Sequence, residues 1–145
     1  MKNLKGFFLI AICSLLSVSC KEEEIGCEFI KFDCAQFDIG ADGGVAIASA
    51  ENVFEYWSIC EVIVCEKLDD GRIQLVDRYS RGDGTYGENN NGSHFCNNEI
   101  DATKDKNKLI ITIGQNHTEN ERVIVFGLAP GLIDNIIVTQ ATHGR

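Results

Sequence analysis

One proline, one tryptophan, one methionine and three histidines are all that this 145-residue chain has of those types. The histidines, His94, His117 and His143, stand apart in polar or terminal segments, where a solvated imidazole is the ordinary reading. The chain has no GxSxG elbow, no HExxH and no glycine loop ending in Lys-Ser/Thr. The hydrolase, zincin and phosphate-binding chemistries that depend on those spacings are therefore not indicated. No enzyme activity and no cofactor are expected. CxxC is also missing, and Cys60 and Cys65 lie too far apart for the usual close ligand pair, so no metal centre is expected. Asp83, Glu88 and Asn89 to Asn91 offer oxygen ligands, but without the DxDxDG spacing they read as loop formers. Positive charge is scarce, with 13 basic against 22 acidic side chains, and such a surface repels nucleic acid.

Long apolar runs are absent too. The longest, Phe7 to Leu16, falls short of the ~20 residues that a spanning helix needs. It follows Lys2 and Lys5 and leads to Ser17, Val18 and Ser19 before Cys20, which is the layout of a cleaved signal segment over residues 1–19. The small residues directly before a cysteine resemble the lipobox of bacterial lipoproteins. That resemblance implies cleavage before Cys20 and acylation of its sulfur, with ordinary secretion and an unmodified Cys20 as the plainer alternative. Lys21-Glu22-Glu23 then resembles the Lys-acidic-acidic signal that sends Bacteroidetes lipoproteins to the outer face of the outer membrane. A solvated acidic tether is the simpler account of the same residues.

Removal of residues 1–19 leaves 126 residues with 11 basic and 22 acidic side chains, a net of −11. That length supports one core, not two. Cys27, Cys34, Cys60, Cys65 and Cys96 remain in the folded part, and an odd number cannot all pair internally. Export permits up to two disulfides, whose connectivity spacing does not fix; buried unpaired thiols are the alternative.

From residue 29 the apolar residues alternate rather than recur every three or four, which predicts strands. Candidates are Phe29 to Phe32, Phe37 to Ile39, Val45 to Ala48, Ile59 to Glu66, Ile73 to Tyr79, Lys108 to Ile113, Arg122 to Leu128 and Ile133 to Gln140. Leu68-Asp69-Asp70-Gly71 reads as the turn of a hairpin. Residues 82–93, with four glycines and almost no apolar side chain, read as an exposed loop. About seven or eight short antiparallel strands without a helix predict an all-β sandwich of immunoglobulin-like type. It is expected over residues 36–145, after a segment 20–35 that holds the lipidated cysteine, the tether and a first strand.

The last forty residues carry a second resemblance. Leu109-Ile110-Ile111-Thr112-Ile113, then Asn116, then Glu121-Arg122 leading a strand, then Ile136-Ile137-Val138-Thr139-Gln140, resemble the ending of a BACON domain. Gly43-Gly44 and Trp57-Ser58-Ile59 fit the same pattern upstream. The resemblance implies an immunoglobulin-like sandwich of Bacteroidetes surface proteins, often found beside glycan-degrading modules. Where that family commonly has a second tryptophan, this chain has Asn98-Glu99-Ile100-Asp101. Trp57 is expected in the core. Tyr86, Tyr56 and Tyr79 are then the candidate ligand-binding residues, because a ring packs on a sugar face while its hydroxyl stays wet. Tyr86, on the glycine-rich loop, is expected to be the most exposed of the three. The functional expectation is a surface-anchored, non-catalytic module for a glycan or glycoprotein. The alternative is a structural or protein-interaction subunit of an outer-membrane assembly.

Overall fold

The computed structural model describes residues 31–51, 57–87, 90–129 and 135–143. The signal segment 1–19, Cys20, Lys21, Glu22, Glu23, Cys27 and Tyr56 lie outside the described residues.

Nine strands are described: β1 (Gln36–Ile39), β2 (Gly44–Ser49), β3 (Ser58–Lys67), β4 (Ile73–Ser80), β5 (His94–Cys96), β6 (Ile100–Asp105), β7 (Lys108–Ile113), β8 (Glu121–Ala129) and β9 (Ile136–Gln140). They form two sheets, one of five strands in the order β1-β9-β8-β3-β4 and one of four in the order β2-β7-β6-β5. The inner rows follow from strand alternation. Ile59, Val62, Val64, Ile124, Phe126, Ile136 and Val138 of the first sheet share one buried cluster with Ala46, Ala48, Phe95, Ile100, Leu109, Ile111 and Ile113 of the second. The protein is an all-β sandwich, as the alternation predicts.

Three details differ from the sequence-based expectation. β1 and β9 run parallel, with Phe37 opposite Val138, so the strands are not all antiparallel. Of the expected first strand, Phe29 and Ile30 lie outside the described residues, and Phe32 makes an isolated bridge to Ala50 and is buried beside Trp57. Residues 94–105 also contain two strands, β5 and β6, where none was expected. β6 turns into β7 through Lys106 at φ 55, with Asp105 paired to Lys108. Only Ile100 and Ala102 of its six residues are buried, too few apolar positions to announce a strand.

The central hairpin is as predicted. Leu68 and Gly71 close the turn through Gly71 N–H to the Leu68 carbonyl, 2.8 Å. The Asp70 carboxylate accepts from Arg72 N–H at 3.0 Å, which is the turn-forming role of aspartate. Gly43 is equally constrained: at φ +91 an added Cβ would lie 2.4 Å from the Ile113 carbonyl oxygen. Only glycine lets the β1–β2 turn approach the end of β7 so closely.

Candidate functional site

At one end of the sandwich the apolar core gives way to polar side chains. Arg122, on the inner row of β8, is 5% exposed. Its guanidinium donates to Glu99 Oε2 at 2.5 Å and to Gln140 Oε1 at 3.4 Å. Gln140 is fully buried and donates its amide to the Gly114 carbonyl at 2.7 Å. Asn116, also fully buried, donates to the Asn120 and Ala141 carbonyls and accepts from the Thr118 N–H and hydroxyl. A buried polar group costs stability unless it is hydrogen-bonded; Arg122 is satisfied by Glu99 and Gln140, Gln140 also by the Gly114 carbonyl, and Asn116 by Thr118 and the Asn120 and Ala141 carbonyls. The Asn, Arg and Gln that carry the family resemblance are therefore structural: they knit β7, β8, β9 and the β1–β2 turn.

Beside this network a groove of about 320 Å³ opens between β4 and the segment joining β5 to β6. Val64, Val76 and Tyr79 line its apolar side, and Glu66, Asp77, Asn97, Asn98, Glu99, Thr118 and Arg122 line the rest. It lies where the three-residue β5 is too short to cover the inner face of the eight-residue β4. A bulge aids this: Val64 pairs with Asp77 and Cys65 with Leu75, leaving Val76 as the extra residue of β4. Asn97 holds the rim, its side-chain oxygen accepting from Glu99 N–H and Ile100 N–H at 2.9 and 2.7 Å. Its amide donates to the Tyr79 hydroxyl at 3.4 Å. Three carboxylates against one guanidinium, itself bound to Glu99, leave the groove acidic. A wider depression of about 630 Å³, formed by loop residues such as His117, Glu119 and His143, is lined by no tyrosine, tryptophan or phenylalanine.

The tyrosines fall out differently from their expected ranking. Tyr79 lines the groove, with its ring tilted against Phe95 at 5.1 Å. Tyr86 is not exposed. It is 3% accessible and also packs against Phe95, at 5.3 Å, so its faces are unavailable for stacking on a ligand. Gly84 and Gly87, at φ 79 and 86, let the loop double back and bring this one large ring into the core. Burial pushes the Tyr86 phenol up to about 12 from the usual 10.0. A group whose folded pKa is raised contributes stability that is present below its unfolded value and is lost as pH rises. Stability should therefore fall between about pH 10 and pH 12. Tyr86→Phe should abolish that component in an alkaline unfolding titration while changing neutral stability little, since the hydroxyl reaches the Asn91 carbonyl only at 3.4 Å. An unchanged alkaline profile in the variant would assign the loss elsewhere.

Asp83 binds its own loop, its Oδ1 accepting from the Thr85 hydroxyl and N–H at 2.6 and 3.0 Å, and these bonds hold its carboxyl below the usual range. Cys34, Cys60, Cys65 and Cys96 are all free thiols. Burial pushes the Cys60 and Cys65 thiols up, and Cys60 Sγ donates to the Gly127 carbonyl at 3.2 Å. His94, expected in a loop, stands on β5 with Nε2 3.2 Å from Asp101 Oδ2. That hydrogen bond, followed by one from Thr103, holds the Asp101 carboxyl below its ordinary value.

Most of the groove residues escaped the sequence reading. Glu66, Val76, Asp77, Asn97, Asn98, Glu99 and Thr118 lack any shared spacing. The one available signal is the stretch from Asn98, where the BACON pattern commonly has tryptophan; Asn98 and Glu99 lie on the groove's rim.

No family model matches the chain, and no curated protein matches it. Among solved structures, the NMR structure of the protein from Bacteroides thetaiotaomicron is similar at a TM-score of 0.55 and 17% identity, covering 81% of this chain and 91% of that one. At that identity the likeness defines the fold alone: this is a β-sandwich protein with an acidic groove at one edge. The BACON resemblance rests on the residues quoted for it.

Proposed function

We propose that this chain is a non-catalytic, BACON-like lipoprotein of the outer-membrane surface, anchored in lipid through acylated Cys20, whose sandwich binds a glycan or glycoprotein. Lys21, Glu22 and Glu23 would direct its surface export. The observation that carries the binding reading is the groove at Tyr79. It has an aromatic wall, planar amides from Asn97 and Asn98, and carboxylates from Glu66 and Asp77. Rings pack on apolar sugar faces, while amides and carboxylates orient hydroxyls by hydrogen bonds. The volume, about 320 Å³, lies at the small end of the range for ligand sites, ~300–1,000 Å³, and suits one or two sugar units. The groove's acidity disfavours sulfated or uronic chains and favours neutral or amino sugars.

The test is a glycan array probed with the mature lipoprotein in detergent, beside Tyr79→Ala and Asn98→Ala. Tyr79→Ala should weaken binding about tenfold, or ~1.4 kcal/mol. Asn98 is exposed, so Asn98→Ala reads the groove without disturbing the fold and should also weaken binding. Signal that survives both changes would remove the groove from the proposal.

A second reading is favoured by β4 itself. This edge strand exposes Ile73 at 57%, Leu75 at 58% and Val76 at 47%. An apolar edge invites an added strand, which suits a protein partner in an outer-membrane assembly. Leu75→Lys should abolish recovery of such a partner from solubilised outer membranes and leave glycan binding intact.

A further inference from the structure

β5 and β6 bring together three side chains that are separate in sequence. His94 and Cys96 are two apart on β5, so they project from the same face, and Asp101 is the cross-strand partner of Cys96. One donor atom from each, an imidazole nitrogen, a thiol sulfur and a carboxylate oxygen, all lie within 4.8 Å of one another. We propose that His94, Cys96 and Asp101 form a zinc site with three protein ligands and one solvent position.

The donor chemistry favours this ion. Mixed nitrogen, sulfur and oxygen sets suit borderline zinc, whereas calcium and magnesium take oxygen alone. Bonds of roughly 2.0–2.3 Å place tetrahedral ligand atoms ~3.3–3.7 Å apart. Closure therefore needs side-chain movement of ~1 Å or so, which these half-exposed groups have room to make; the His94 and Asp101 side chains are 39% and 49% accessible. The backbone beneath is fixed. Asn91 and His94 exchange N–H···O bonds of 2.8 and 3.1 Å, and the Asn90 side chain accepts from Cys96 N–H at 2.7 Å. Thr103, opposite His94, donates its hydroxyl to Asp101 Oδ1 at 3.2 Å and orients the carboxylate. Such outer partners are what metal ligands require. β5 ends the four-stranded sheet, so its open side admits the fourth ligand. Coordination replaces the Cys96 S–H bond with S–Zn, and one proton leaves to solvent per ion bound. No electron is exchanged. The bound ion would clamp the foot of the loop that carries Tyr86, because Asn90 also donates to the Tyr86 carbonyl at 2.5 Å.

The experiment is zinc titration of the mature lipoprotein in detergent with a non-thiol reductant, read by competition with a chromogenic chelator and by the melting temperature. One equivalent should bind, and melting should rise with zinc. His94→Ala, Cys96→Ser and Asp101→Asn should each weaken binding at least tenfold and remove the melting shift. Cys34→Ser, at another exposed thiol, should leave both unchanged. Cobalt in place of zinc should give a thiolate-to-metal absorption band that Cys96→Ser abolishes. No stoichiometric zinc, or binding within twofold of the parent in the three variants, overturns the proposal. Because none of these three residues lines the groove at Tyr79, their outcome is separate from that of the glycan array.

Discussion

Replacing Trp57 by alanine is expected to cost about 3–5 kcal/mol, the range for deleting a large buried aromatic. Trp57 is 1% exposed, meets the edge of Phe32 at 5.7 Å with the rings at 88°, and carries the Lys104 ammonium 4.8 Å from its ring centre. Lys104 also donates to the Trp57 carbonyl at 2.8 Å, so one indole ties the chain entering at Phe32 to β6 and to the start of β3. Alanine removes the wall against which Phe32 packs and leaves a cavity that rigid strands do not close. Trp57→Phe keeps an aromatic ring there and should cost about 1–2 kcal/mol less than alanine. Urea unfolding followed by far-ultraviolet circular dichroism measures both, since the change deletes the only tryptophan. A loss under about 1 kcal/mol would mean that the indole is not a core residue.

Asn116→Ala is the second large effect, about 3 kcal/mol, from the loss of a fully used amide. The side chain donates to the Asn120 and Ala141 carbonyls at 2.9 and 3.1 Å and accepts from Thr118 N–H and Oγ1 at 3.0 and 2.9 Å. Alanine leaves those groups without their partner at a fully buried position, and each unsatisfied buried group costs about 1–3 kcal/mol unless water enters. For a domain of this size the melting temperature should drop by about 10 °C or more. Asn116→Asp separates shape from hydrogen bonding. It keeps the acceptor but turns a carboxylate toward two carbonyl oxygens, so it should be least stable at neutral pH and recover in acid, where a protonated carboxyl can donate once. A stability for Asn116→Asp that does not change with pH would show that the side chain does not face those carbonyls.

The polar residues of the C-terminal resemblance, Asn116, Arg122 and Gln140, thus close the fold through their hydrogen bonds, and Arg122 also lines the groove. The spacing of Asn116, Arg122 and Gln140 gives no hint that Asn116 and Gln140 both reach Ala41 of the β1–β2 turn or that Arg122 binds Gln140. The groove's position was equally hidden. It follows from the shortness of β5 and the extra residue Val76, which are properties of strand pairing and not of any one segment.

By itself the sequence determined the sandwich, because alternating apolar residues can be buried only on one face of a strand. It also determined the β3–β4 hairpin, through the turn chemistry of Asp70 and Gly71, and the burial of Trp57. Tertiary structure alone decided the burial of Tyr86, because a ring in a polar loop is buried only if Phe95, in a different strand, offers it a surface. It alone decided the parallel pairing of β1 with β9, which unites strands a hundred residues apart. The meeting of His94, Cys96 and Asp101 depends likewise on cross-strand register. Local pattern reports which face a residue takes; only the pairing of strands fixes which neighbour it meets there.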